Sequence, residues 1–472
     1  MDPRTLRRRE YSWFAAILGI SSPLVLSVCG ALWRSPYPIS ETVSLLTDDL
    51  FASPLSFFDS TTRSWYRPLF HLTWWGFWRA TGSLDAVLFW FTCVEVTAVA
   101  LLLVLFMWHL RPRTLIEGAA ATFAVAVLAG TPGFRENLEI PMLMTLVGMP
   151  LALIVWMLLQ RDHRPWHGPA IVVLMLIAVG FKEQGLIIAP LVVAAWWTGA
   201  PGARRGTTAA VVAAATVYLA MRLATSGSWA TFEQDVGLGF ERLSAREASE
   251  RFGAAPLWMY LYNAASTIAN ILFSEPTDGR FGILWNLSQG EFNAWEINHV
   301  LSSTVLTGLV SWWGLRALKD DIGRPWSAQS RLFIAAVLVI AASGALGFNY
   351  SRDRLGGMAV VFYAIAAYFA VRAAADLALR ASRPGMIAAG MALLLLGGAW
   401  QIRAIGTVHD VRLKAARAHR EWITDLHERR TDFARESNYL QILEALSEQG
   451  LDPASAQPIR YPRWLRAWIG GR

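Results

Sequence analysis

Long apolar runs separated by short polar breaks repeat along most of the chain. A spanning helix needs about 20 mostly apolar residues, because the hydrocarbon layer is roughly 30 Å thick. Windows of that kind predict eleven spans, near 12–33, 86–110, 115–131, 140–160, 169–181, 186–199, 207–225, 301–318, 332–348, 358–379 and 386–403. One further stretch, 256–273, starts at Pro256, carries Asn263, Ser266, Thr267 and Asn270, and ends at Ser274-Glu275-Pro276. It reads as a re-entrant or interfacial helix, with a twelfth span as the alternative. The pattern therefore predicts an all-α polytopic membrane protein of about eleven transmembrane helices. Its domains are a transmembrane unit over 1–403, with outer loops at 34–85 and 226–300, and a helical tail over 404–472. In the tail, Trp422, Leu426, Leu440, Leu443 and Leu446 recur at roughly helical spacing, and Arg463 to Ile469 reads as an amphipathic strip on a lipid surface.

Composition supports the same class. Of 472 residues, 54% are apolar and only 16% charged, whereas a soluble domain is about a quarter charged. Two cysteines, Cys29 and Cys93, exclude a disulfide scaffold and a cysteine-rich zinc site. The 23 tryptophans suit a chain with many membrane–water boundaries.

The net charge of +7 matters less than where it falls. Arg4 to Arg9, Arg111 and Arg113, Arg161 and Arg164, Arg204 and Arg205, Arg316 to Arg331, and Arg380 to Arg383 all lie in short loops that eleven spans place on the cytoplasmic side. A multi-pass protein of the cell (inner) membrane follows, with a cytoplasmic N-terminus and both long loops and the tail outside. Counting 256–273 as a span would invert everything after it. The first apolar run reads as an anchor rather than a cleaved signal. Nucleic acid is not an expected partner, and no Gly-rich phosphate loop or nucleotide fingerprint occurs.

Four polar clusters then fall on the outer side. The first loop carries Asp48 and Asp49 just beyond span one, and later Arg63-Ser64-Trp65-Tyr66-Arg67-Pro68-Leu69-Phe70-His71. Adjacent carboxylates repel, and in a desolvated cleft one of them gains a raised pKa suited to accepting a proton. The alternative is that Thr47 and Asp48 cap a short helix. Next, Phe181-Lys182-Glu183-Gln184-Gly185 sets two charges between apolar runs. Sequence neighbours do not face each other on a helix, so Lys182 and Glu183 are expected to have separate partners, unless the segment is simply a solvated turn. Third, Asn349-Tyr350-Ser351-Arg352-Asp353-Arg354 puts arginines outside, for an anionic ligand or for lipid headgroups. Fourth, Pro132 to Glu139 supplies Glu136 and Glu139, to hold Arg135, to hold a cation, or to cap span four. Glu95 and Glu117 read as helix–helix contacts.

Together these residues resemble the membrane glycosyltransferases of the C-type fold. The closest similarity is to the protein O-mannosyltransferases, including their tetratricopeptide-associated transmembrane branch. It rests on Asp48-Asp49, Tyr66-Arg67-Pro68-Leu69, Lys182-Glu183-Gln184-Gly185 and Asp353-Arg354, in that order along roughly residues 10–380. Thr131-Pro132 stands where that family often has His-Pro, and no tetratricopeptide array follows the last span.

The resemblance implies inverting transfer of a sugar from a polyprenyl-phosphate donor to a hydroxyl of a protein or glycan. Phosphate leaves readily as an anion, so the demand is for a base on the acceptor and cations on the phosphate. The resemblance makes Asp48 or Asp49 the base and Arg67, Lys182, Arg352 and Arg354 the phosphate partners. Tyr66, His71, Glu139 and Glu183 are supporting residues. A divalent cation is compatible with this chemistry, and no metal ligand is specified. The competing reading is a secondary transporter or a flippase or polymerase of lipid-linked glycans. Transporters tend to show two similar halves and charges at mid-span, whereas here no pseudo-repeat is evident and the polar clusters lie at one face.

Overall fold

In a computed structural model of the chain, the residues described are 53–58, 67–81, 84–139, 145–226, 236–238, 241–243, 245–252, 257–277, 279–291, 293–348 and 350–428. The helices, in order, are α1 (Pro68–Thr81), α2 (Leu84–Leu110), α3 (Leu115–Gly130), α4 (Pro132–Glu139), α5 (Thr145–Leu159), α6 (His167–Phe181), α7 (Ile188–Trp197) and α8 (Arg205–Ser226). After a small hairpin, β1 (Val236–Leu238) and β2 (Glu241–Leu243), come α9 (Ala245–Phe252), α10 (Leu257–Phe273) and α11 (Gly282–Ser288). Finally come α12 (Ala294–Asp320), α13 (Ala328–Leu346), α14 (Gly357–Ala378) and α15 (Arg383–Glu428). Among the described residues the fold is all-α apart from that hairpin, in which Val236 pairs with Leu243 and Leu238 with Glu241.

The expected eleven spans are not what the chain builds. Among the described residues, four helical segments are long and apolar enough to cross a membrane: Phe89–Leu110, Ala328–Leu346, Asp353–Ala378 and Arg383–Val411. A fifth arises only if α3 and α4, bent by 61° at Thr131, count as one. Hydropathy windows overcount because they do not register where a helix breaks. The runs near 140–160, 169–181 and 186–199 become apolar helices of 10–17 residues, and the run at 207–225 lies in α8, which is not among the spanning candidates. At 1.5 Å per residue, a 15-residue helix is about 22 Å long, short of the hydrocarbon layer. The run at 301–318 lies within α12, whose last turns carry Arg316, Lys319 and Asp320. The 256–273 stretch forms the 17-residue α10, which is not among the spanning candidates. Predicted span 12–33 lies outside the described residues.

Helix α14 is the centre of the bundle, with 72% of its apolar window buried, against 11% for α15. Its Ala and Val residues let α3, α5, α12 and α13 approach closely, and larger rings such as Trp156 edge-on to Phe362 (6.0 Å) fill the gaps. The other end of the bundle is tied electrostatically. Thr114 caps α3 by accepting from the Glu117 amide (3.2 Å), and Glu117 pairs with Arg372 of α14 at 2.9 Å. Glu117 is thus the helix–helix contact that its position suggested.

Arg403 is the most enclosed cation of the structure. It lies on α15, fully buried, with its guanidinium 3.7 Å from the centroid of the Trp400 ring. Its Nε and Nη2 donate to the Gly130 carbonyl at the end of α3 (3.2 and 3.0 Å). Nη1 donates to the His299 carbonyl, Ser302 Oγ and Ser303 Oγ, and Nη2 also to Ser274 Oγ (2.6 Å). A helix C-terminus carries partial negative charge and bare carbonyls, so a cation there is favoured. One side chain thereby joins α15 to α3, to α12 and to the turn after α10. Arg403→Ala leaves those buried acceptors without donors, at about 1–3 kcal/mol for each. We expect a marked fall in melting temperature for the purified protein, and a smaller fall for Arg403→Lys, which keeps charge but loses the fork. An unchanged melting temperature would show that the helices are not held this way.

Candidate functional site

The start of α1 and two 3₁₀ turns meet at one end of the bundle, and each puts a charged residue inside. Pro68 opens α1 with a φ preset for helix, and the preceding Arg67 carbonyl accepts the first helical bond from His71 (3.2 Å). Helix α6 stops at Phe181. Lys182 is extended, with φ −157° and ψ 144°, and a 3₁₀ turn over Glu183–Ile187 leads into α7. Gly185 is required there, because any Cβ would strike the backbone of Ala178 and Val179 in the last turn of α6. A second 3₁₀ turn, Asp353–Gly356, precedes α14, and a Cβ on Gly357 would come within 2.6 Å of the Asn137 amide. Side chains from α1, α4 and both turns therefore share a small volume.

Two ion pairs organise it. Arg67 grips Glu183 with both prongs, Nε to Oε2 and Nη2 to Oε1, each at 2.8 Å. Arg354 Nη1 reaches Glu136 Oε1 at 3.2 Å, while the Arg354 backbone amide donates to Oε2 at 2.6 Å. The Arg354 carbonyl accepts from Asn137 Nδ2 and Gln184 Nε2, both at 3.0 Å. One peptide is thus clamped between α4 and the Glu183 turn. All four charged partners are buried.

Lys182 lies among them and differs. It is 3% exposed, yet its ammonium makes no hydrogen bond or ion pair with any described residue. Burial pushes it well below the usual lysine range; the Arg67 charge adds to that, Glu183 opposes it, and Arg354 and Glu136 act in the same opposed senses. For Arg67 burial alone would lower the guanidinium, but the Glu183 carboxylate outweighs it and the net shift is upward. Glu183 and Glu136 are both engaged by arginines, which leaves the Lys182 amine without an ion pair among the described residues.

The sequence-predicted residues fall as follows. Arg67, Lys182, Glu183 and Arg354 come together. Arg352 lies half-buried just before the Asp353 turn. His71 is buried one turn into α1, stacked on Phe57 (5.9 Å) and edge-on to Phe70 (5.2 Å). Asp48, Asp49 and Tyr66 lie outside the described residues, as does the side chain of Glu139. Glu136 holds Arg354 rather than Arg135; Arg135 pairs with Asp410 of α15 at 3.3 Å. Sequence reasoning named Glu139 rather than Glu136 as the supporting acid, since the choice depends on the bend at Thr131. Asn137 and Gln184 were missed because an amide that clamps a peptide has no signature of its own. Among the described residues, no group of three or more His, Cys, Asp or Glu side chains is placed to hold a metal ion.

No family model, curated protein or solved structure matches the chain. The functional reading therefore rests on the residues themselves.

Glu183→Gln strands a buried guanidinium, and breaking such a pair costs about 3–5 kcal/mol; a sharp loss of melting temperature or yield is expected. Lys182→Met should instead raise the melting temperature. Native Lys182 loses its proton at a lower pH than the unfolded chain does, so between those two points the unfolded state binds more protons and wild-type stability climbs with pH. The advantage of Lys182→Met should therefore narrow as pH rises toward the ordinary lysine value. A pH-independent gap would contradict the placement of Lys182.

Proposed function

We propose that this chain is a membrane glycosyltransferase that moves a sugar from a polyprenyl-phosphate donor to a hydroxyl acceptor. The observation that carries the reading is Lys182, a buried amine without an anionic partner, held between two arginines whose charges are already anchored. The setting supports it, since the protein is largely helical and carries several helices long and apolar enough to associate with a membrane. So does the resemblance of the Arg67, Lys182-Glu183 and Asp353-Arg354 segments to the protein O-mannosyltransferases.

In the proposed reaction the acceptor oxygen attacks the anomeric carbon from the face opposite the phosphate. The new carbon–oxygen bond forms as the bond to the phosphate oxygen breaks, and the lipid phosphate leaves with that electron pair. The acceptor proton passes to a carboxylate, assigned here to Asp48 or Asp49. Lys182 meets the phosphoryl oxygens, and Arg67 and Arg354 supply a fixed positive field that needs no reorganisation during the step. Glu183 and Glu136 keep those arginines in place.

The test is turnover by the purified protein in lipid nanodiscs, with a panel of polyprenyl-phosphate sugars and hydroxyl acceptors. Wild type should release or transfer sugar. Lys182→Met should lose about 100-fold or more in rate, the scale for removing one preorganised charge donor. One of Asp48→Asn and Asp49→Asn should abolish turnover while leaving folding intact. No turnover with any donor, together with movement of lipid-linked cargo across vesicles, would replace the enzyme by a transporter.

A further inference from the structure

Helix α4 is held from two sides, and the two grips are on consecutive residues. On one side Glu136 takes the amide and guanidinium of Arg354, and Asn137 takes its carbonyl. On the other, Arg135 pairs with Asp410 of α15. The chain just before α4 is fixed to the same helix, since Arg403 of α15 donates twice to the Gly130 carbonyl.

The direction of α4 is not set by α3 alone. Pro132 has no N–H, so the helical bond to the Leu128 carbonyl is missing, and the Thr131 hydroxyl takes that carbonyl instead at 2.9 Å. Between the two helices the axis turns by 61°. A two-turn helix beyond such a break moves as one body, and residues 135 and 136 lie about 100° apart around it. Any rotation that lengthens Arg135–Asp410 must also re-aim Glu136.

We infer that Arg135 and Asp410 are positioning residues for the Arg354–Lys182 cluster: their ion pair sets the rotation of α4 and thereby aims Glu136 at Arg354. Helix α15 then acts as an input to the site. It continues from Asp410 to Glu428, so a displacement of that distal stretch is delivered to the cluster through α4. The inference stands on these contacts and holds whichever anion the cluster takes.

Hydrogen–deuterium exchange of the full chain in nanodiscs tests it. The probe is segment 353–357, whose Arg354 amide donates to Glu136 across 218 positions of sequence. In Asp410→Asn this segment should exchange about tenfold faster, with 358–368 in the α14 core unchanged. The charge-swapped pair Arg135→Asp with Asp410→Arg should restore protection at 353–357. A merely local role for the ion pair predicts faster exchange around 132–139 and 405–411 with 353–357 as in wild type, and that result overturns the inference. If Asp410→Asn also loosens 358–368, the swapped pair decides: regained protection at 353–357 supports the coupling, and lost protection overturns it.

Discussion

A guanidinium removed from water must have its N–H groups accepted, and in this protein that demand determines which segments meet. Arg403 collects a helix-end carbonyl, a second carbonyl and three serine hydroxyls from three separate parts of the chain. Arg67 and Arg354 each take a carboxylate from a distant segment. Apolar packing around α14 brings the helices together, but such packing tolerates sliding and rotation. The charged contacts are directional, so they select one register from those that the apolar faces would accept.

This division explains what was legible in the sequence. Helical content follows from apolar windows, and so does the clustering of Arg67, Lys182-Glu183 and Arg354, because charges between apolar runs collect at helix ends. The number of spans does not follow. A window reads 115–131 and 140–160 as two spans joined by an outer turn at Pro132 to Glu139, and registers neither the 61° bend nor the extended residue at Lys182. Arg403 is only the last residue of the predicted span 386–403, since a single arginine at the end of an apolar run carries no signal of what it will touch. Only the packing of α3, α12 and the turn after α10 against it shows an inward role.

The site departs from the rule that organises the rest. Among the described residues, the buried arginines Arg67, Arg354 and Arg403 are matched by acceptors; the Lys182 amine is not. Such a position costs stability, and a fold retains cost of that kind where a group must be ready for something that is absent in the resting state. Anchoring Arg67 and Arg354 to carboxylates fixes the neighbouring charges and leaves Lys182 as the adaptable member.

Helix α15 has a geometric consequence of its own. Its apolar portion ends at Val411, yet the helix runs on without a break to Glu428. At 1.5 Å per residue, those extra turns extend about 25 Å past the greasy segment. A rod of that length works as a mast. It converts a sideways push at its tip into torque at its base, where Asp410 and Arg403 sit.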